Sequence, residues 1–488
     1  MLAVPLGLCA LAGCIVLEHA SPVANSASSD EVRRTSFQAN AEAADAPALA
    51  APLRISDPAL SNALLPAYLA RALAENRDVQ AARLNALAMR ARVPQVTALE
   101  DPMVQNGIWP FPSNGPQYAL MGFMPYELMV TQQFPWMGTL KLRGCVAQEE
   151  AKLALWQLAE AQLAVVAEVK TAYFTLRASE QIIGLLEENR VLAEQIVEIA
   201  RARLATGGNE QDVLRAEVAV ASIDRELALL ESEVTESQAE LSQLMHGEIE
   251  APRAVGDAPL PLSLGVTLDQ LTSMALVARP EIQARQVEVQ RDRHQVELAR
   301  KKYWPNFNAG IGYSTMTTVN NPSPLADGRD NVGFVLGFNL PIYREKLDAG
   351  VLEAETRVLA DARRLESERD KAHRELRTLL AQARAQEKTL SLLEDRIAPK
   401  SQLALRNAAA GYRTGTLDFV TLNTAREELL EIRIQVARTE AALGRALAAL
   451  EKAVGLQLDA VTRNASGSLR RTEADEPPSP PSDRSGPF

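Results

Sequence analysis

The sequence predicts a mainly α-helical chain with a small β part, built as two copies of one unit. Each unit reads as helix, two strands and a long helical hairpin. Three observations carry this. Landmark residues recur in order at a nearly constant offset, the apolar period switches from helical to alternating twice, and two very long stretches hold no helix breaker but one proline.

The repeat comes first because it organises the rest. Asp78-Val79-Gln80-Ala81 matches Glu281-Ile282-Gln283-Ala284, and Pro102 matches Pro305, both at offset 203. Phe134-Pro135 matches Leu340-Pro341, and Gly144 matches Gly350, at offset 206. Thr206-Gly207 matches Thr414-Gly415, and Gly247 matches Gly455, at offset 208. Two unrelated helical stretches of similar composition would not share Gly and Pro in the same order. The expected layout is a signal over 1–13, a flexible leader over 14–57, a first repeat over 58–247, a linker over 248–266, a second repeat over 267–458 and a disordered tail over 459–488. The tail ends EADEPPSPPSDRSGPF, too polar and proline-rich to bury a core.

The first seventeen residues carry no charge and read as the apolar region of a signal sequence, too short for a comfortable membrane span. Leu11-Ala12-Gly13-Cys14 resembles a bacterial lipobox, which makes Cys14 the candidate lipidation site, although no Lys or Arg precedes it. Residues 58–98 and 267–302 are Ala/Leu/Arg-rich with helical spacing. Strands are expected over about 103–134 and 306–342. Phe307, Ala309, Ile311 and Tyr313 alternate with Asn308, Gly310, Gly312 and Ser314. Val332, Phe334, Leu336, Phe338 and Leu340 alternate with small or polar residues but for Val335. In the first half, residues 103–112 make one candidate strand, and Tyr118, Leu120, Met124, Tyr126, Leu128 and Val130 share a face of the next. Strands of about ten residues cross a bilayer when tilted. Hairpins are expected over 144–247 and 350–455, with Pro399 kinking the second. From Gly144 to Leu204 about 60 helical residues at ~1.5 Å each give roughly 90 Å. Abundant Ala lets such helices approach closely, in coiled-coil packing rather than around a thick core.

Composition narrows function. The chain has 488 residues, 5% aromatic, with 51 Lys and Arg against 62 Asp and Glu, a net charge of −11. That balance lacks the footprint of a nucleic-acid binder. His19, His246, His294 and His373 stand at no ligand spacing, and Cys9, Cys14 and Cys145 make no disulfide framework. No phosphate-binding glycine loop or catalytic constellation is present, so neither an enzyme nor a cofactor or metal site is expected. Cys145 reads as a small packing residue and the many Glu and Arg as solvated faces. Met103, Met121, Met124, Met129 and Met137 cluster around the first strands. Thioethers suit Cu(I) or Ag(I), but lipid-facing or barrel packing is the favoured reading.

Four strands with one apolar face cannot sit in lipid as an open sheet, because their edge N–H and C=O groups would stay unsatisfied. Four cannot close alone, so several chains must share one barrel.

Residues 58–458 resemble the TolC-type outer-membrane efflux protein family. The carriers are the duplicated landmarks, Arg203-Leu204-Ala205-Thr206-Gly207 followed by Asp212-Val213-Leu214-Arg215-Ala216-Glu217, the run from Gly411 to Asn423, and Ala448 to Gly455. The resemblance implies a homotrimer, with a 12-stranded barrel in the outer membrane of a Gram-negative bacterium on a helical periplasmic tunnel. It implies an exit duct joined by a periplasmic adaptor (membrane fusion) protein to an inner-membrane efflux pump. It implies adaptor contact at the hairpin tips: Leu204, Thr206, Gly207, Asp212, Val213 and Leu214, with Tyr412, Thr414, Gly415, Phe419 and Leu422. Gate candidates are Asp418 and Asn423, the latter standing where many relatives carry Asp. Asp212 reads equally as a charge at a helix N-terminus. Gln133 to Gly138 with Lys141 to Gly144 resembles the heavy-metal resistance branch, so metal ions are one candidate cargo. A type-I protein-secretion duct and a purely structural periplasmic coiled coil are the alternatives.

Overall fold

A computed structural model describes residues 64–108, 123–205, 209–246, 265–317 and 329–456. All lie in the unit spanning Pro52–Phe488. The signal, Cys14, the leader, the tail, Tyr118, Leu120, Thr206, Gly207 and Gly247 fall outside the described residues.

Each helical run that precedes the strands is broken once. α1 (Leu64–Glu75) and α2 (Arg77–Thr97) meet at Asn76, and α5 (Leu268–Ala278) and α6 (Pro280–Lys301) meet at Arg279. Asn76 is extended, at φ −62° and ψ 127°, and its Oδ1 accepts from the N–H groups of Asp78 (2.9 Å) and Val79 (3.2 Å). Arg279 is extended because Pro280 follows it. Both breaks tie to the end of a distant helix. Asn76 Nδ2 donates to Leu244 O (3.1 Å), and Arg279 Nη1 donates to Ala453 O (3.3 Å).

The strands are β1 (Met103–Ile108), β2 (Phe123–Phe134), β3 (Phe307–Thr317) and β4 (Asn331–Phe338). They form one antiparallel sheet in the order β1-β2-β3-β4, so the β2–β3 ladder joins the two repeats. Within the expected strand over 103–112, pairing is described to Ile108.

α3 (Thr139–Leu204) runs 66 residues, about 100 Å. It starts ahead of Gly144 because Gly138, at φ 85°, turns the chain straight out of β2 and its carbonyl accepts from Leu142 N–H at 3.0 Å. α4 (Glu210–Met245) returns and ends on His246 in the left-handed region, φ 50°, one residue before the expected Gly247. In the second repeat α7 (Arg344–Leu392) passes through a π turn, Leu393–Ile397, into α8 (Ala398–Thr414). The interruption expected at Pro399 takes this form, since a wide turn just before the ring accommodates its missing N–H. α9 (Phe419–Val454) returns and stops on Gly455, φ 85°, where a Cβ would meet Ala278 O at 2.7 Å.

α3 is central, touching α1, α2, α4, α6 and α9. Its buried face runs from Ala147, Ala151 and Ala154 to Tyr173, Leu176 and Leu186. Gly444 of α9 lies against the Phe174 ring, where a Cβ would come within 2.6 Å. Cys145 is half-buried near the start of α3. The solvated-face reading of the Glu and Arg residues needs correction at Arg279, Arg426 and Glu451, which are buried, as are Asp292 and Asp361. Lys170 pairs with Glu451 between α3 and α9. Burial, then the charge of Glu281, raises the Glu160 carboxyl above its ordinary range.

Candidate functional site

The sheet register puts apolar residues side by side across all four strands. One row is Val104, Val130, Ile311 and Phe334, and the next ends on Leu128, Tyr313 and Val332. Phe134, Phe307 and Phe338 make the row nearest the helices. This face is open in the protomer: Phe334 is 81% exposed and Leu336 85%. The opposite face carries Gln105, Glu127, Thr131, Gln133, Asn308 and Asn331 among glycines. Met103 pairs with Thr131, and Met129 with Gln105 and Gly312, so both lie on the polar face, opposite the apolar rows. Met137 is exposed in the turn before α3. Among the described residues β1 and β4 pair on one side only.

The hairpin tips lie at the other ends of the long helices. At the second tip Gly415 is left-handed, φ 78°, and the N–H groups of Thr416 (2.9 Å) and Leu417 (3.2 Å) both donate to Gly411 O. Thr414 Oγ1 donates to Gly411 O at 3.1 Å. Asp418 caps α9, accepting from Thr421 N–H at 3.2 Å and from the Thr421 hydroxyl. Those hydrogen bonds to its charged form hold the carboxyl below its ordinary range. At the first tip Asn209 is the cap residue of α4, and Asp212 sits in the first turn, where a charge at a helix N-terminus belongs.

The two tips are joined. The Arg203 guanidinium lies 4.4 Å over the Tyr412 ring, and Tyr412 meets Phe419 edge to face at 6.1 Å. Tyr412, Phe419 and Leu422 are buried with Val197, Ala216 and Ala408 in one apolar cluster. Val213 is buried as well, whereas Leu204, Leu214, Thr414 and Gly415 are exposed. The expected contact residues thus divide into a supporting core and an outer surface. Sequence reading missed Leu417, Val420 and Val218, whose apolar side chains are exposed at the tips. It also missed Arg426. Asn423 Oδ1 accepts from Arg426 Nη2 (3.0 Å), and Asn423 Nδ2 donates to Glu427 (2.8 Å). Arg426 is 4% exposed, and its Nε and Nη1 have no hydrogen-bond partner. Burial pushes its guanidinium pKa down, partly offset by Glu427. It lines a groove of about 820 Å³ between α4 and α9.

No helix among the described residues is long and apolar enough to cross a membrane. No group of three His, Cys, Asp or Glu among them is placed to hold a metal ion. Against known families, residues 124–247 and 271–456 match the model described as outer membrane efflux protein. The chain belongs to that family. Its place is therefore the outer membrane, with the helices extending into the periplasm, and it is not an enzyme. The multidrug resistance outer membrane protein MdtP of Escherichia coli O6:H1 is 24% identical over 203 residues, 41% of this chain and 40% of that protein. The match thus spans about two fifths of the length of these curated relatives. Among solved structures, the outer-membrane channel OprN superposes with a TM-score of 0.67 at 20% identity, over 80% of this chain and 90% of that one. CusC superposes with a TM-score of 0.69 at 18% identity, over 85% and 98%. These likenesses are to the fold.

Proposed function

We propose that the protein is the outer-membrane exit channel of a tripartite efflux system. The observation that carries this is a four-stranded sheet with one largely apolar face, whose outer strands pair on one side only among the described residues, leading into α3, about 100 Å long. Lipid does not accept such edges, so three copies pool their strands into a 12-stranded barrel, and the helices continue the passage into the periplasm. The polar face lines the lumen. An inner-membrane pump supplies energy, and a periplasmic adaptor docks on the outer surface of the tips, at Leu204, Leu214, Thr414 and Gly415 with Thr206 and Gly207. Val213, Tyr412, Phe419 and Leu422 hold that surface in shape from beneath. Asp418 and Asn423 flank the periplasmic mouth and serve its gate. Acylation of Cys14 adds a lipid anchor.

Cargo is a finer question. Likeness to MdtP, a multidrug resistance protein, favours small organic compounds. The polar-face Met103 and Met129 favour soft metal ions as the second reading. One experiment separates the parts. A deletion strain should accumulate drug or metal, and the wild-type gene should restore export. Leu214→Lys with Leu417→Lys should reach the membrane as oligomer yet lose both adaptor cross-linking and export. Export at the wild-type level by that variant overturns the tip assignment, and unaltered drug and metal tolerance on deletion overturns the channel.

A further inference from the structure

Below the apolar band lies a small basic pocket that none of the preceding roles uses. It has a volume of about 200 Å³ and is lined by Thr139, Arg143, Lys301, Lys302, Trp304 and Asn306, among others. It sits where β2 passes into α3 and α6 into β3, and these are the central strands of the sheet. Asn339, the residue that follows β4, closes its other side.

Its frame is fixed by hydrogen bonds. Asn306 Oδ1 accepts from Trp136 N–H at 3.1 Å, Asn306 N–H donates to Asn339 Oδ1 at 2.5 Å, and Asn339 N–H donates to Asn306 O at 3.3 Å. Trp304 stacks on Trp136 with centroids 4.7 Å apart, and Trp136 stacks on Phe307 at 5.9 Å. Phe307 belongs to the last row of the apolar face, so an unbroken aromatic path leads from that face to the pocket wall. Trp304 is 52% exposed. Of the three cations, Arg143 reaches Glu100 only at 3.9 Å, while Lys301 and Lys302 have no ion pair among the described residues. Lys301 Nζ lies close by the Gly138 turn that opens α3.

We propose that this pocket binds the phosphate of an anionic phospholipid in the periplasmic leaflet of the outer membrane. Lys301, Lys302 and Arg143 face the phosphate, and Trp304 packs against the glycerol and upper acyl region, as aromatic side chains do at a membrane interface. The charge is complementary, the volume suits a headgroup phosphate, and the site continues the lipid-facing surface. The inference rests on the barrel reading above.

The test uses the full chain reconstituted in vesicles, with Trp109→Phe to remove one background tryptophan. Quenching of tryptophan fluorescence by brominated phosphatidylglycerol is compared with quenching by brominated phosphatidylcholine. The expected result is a preference for phosphatidylglycerol that falls about fivefold for each lysine replaced, in Lys301→Gln and Lys302→Gln. The preference should survive in Lys301→Arg/Lys302→Arg. An equal preference in the glutamine variants, or none in the parent protein, overturns the site while leaving the barrel intact. If inorganic phosphate binds in a lysine-dependent way and phosphatidylglycerol gains nothing, the lipid assignment is likewise overturned. Absence of quenching by either lipid would instead remove the barrel reading.

Discussion

At the scale of single residues, the buried charges tell most about what the fold tolerates. Arg426 is the extreme case, since Asn423 satisfies Nη2 while Nε and Nη1 stay unpaired in a groove between α4 and α9. A desolvated cation without full partners costs several kcal/mol, more than its single good hydrogen bond returns. Arg426→Met keeps the stem volume and removes the charge. It should stabilise the purified protein by about 1–3 kcal/mol, read as a raised thermal midpoint in detergent. A loss of about 3 kcal/mol instead would mean the guanidinium finds an acceptor in the assembled protein. Gly444 makes the contrasting point. There the fold tolerates nothing, because a methyl would enter the Phe174 ring.

At the scale of elements, α6 and α7 are held together partly by two acids. Asp292 and Asp361 are both buried, Arg291 lies 2.7 Å from the first and 3.7 Å from the second, and Arg364 lies 2.6 Å from Asp361. Burial leads the effects that raise the Asp292 carboxyl above its ordinary range, with the hydrogen bond and charge of Asp361 adding to it and Arg291 opposing it. A raised folded-state value means the folded chain binds this proton more tightly than the unfolded one. The stability it contributes is therefore complete below the unfolded value, about 3.9, and is lost as pH rises through the folded value. Asp292→Asn mimics the protonated side chain, so the variant should gain thermal stability over the wild type as pH rises and lose that gain in acid. A pH-independent difference would remove this account of the raised Asp292 carboxyl. This pair also marks what sequence reading could and could not reach. The long helices, the alternating strands and the Gly415 turn were legible, because period, breaker and left-handed cap are local properties. Asn76 and Arg279 were also legible in principle, as a cap residue and a pre-proline residue at the repeat offset. Asp292, Asp361 and Arg426 were not. They occupy helical positions like those of their solvated neighbours, and only the packing of a distant helix buries them.

At the scale of the whole molecule, function depends on the sheet having two faces of opposite chemistry, set by a period of two and a register that does not slip. Neighbouring residues of β4 test this directly. Phe334 stands in the row with Val104, Val130 and Ile311, and Gly333 lies opposite Gly312 on the polar face. No side chain approaches within 4 Å of a Cβ built at Gly333. A guanidinium on the lipid side near the bilayer midplane costs about 2–4 kcal/mol, falling towards zero at the interface, while one in a water-filled lumen is hydrated. Phe334→Arg should therefore lower the yield of membrane-inserted oligomer and its heat resistance in detergent. Gly333→Arg should assemble normally and alter single-channel conductance or ion selectivity. Repacking cannot mimic this contrast, because both side chains are equally large and charged and differ by one position. If both variants assemble equally well, the apolar face does not meet lipid, and the shared barrel loses its physical reason.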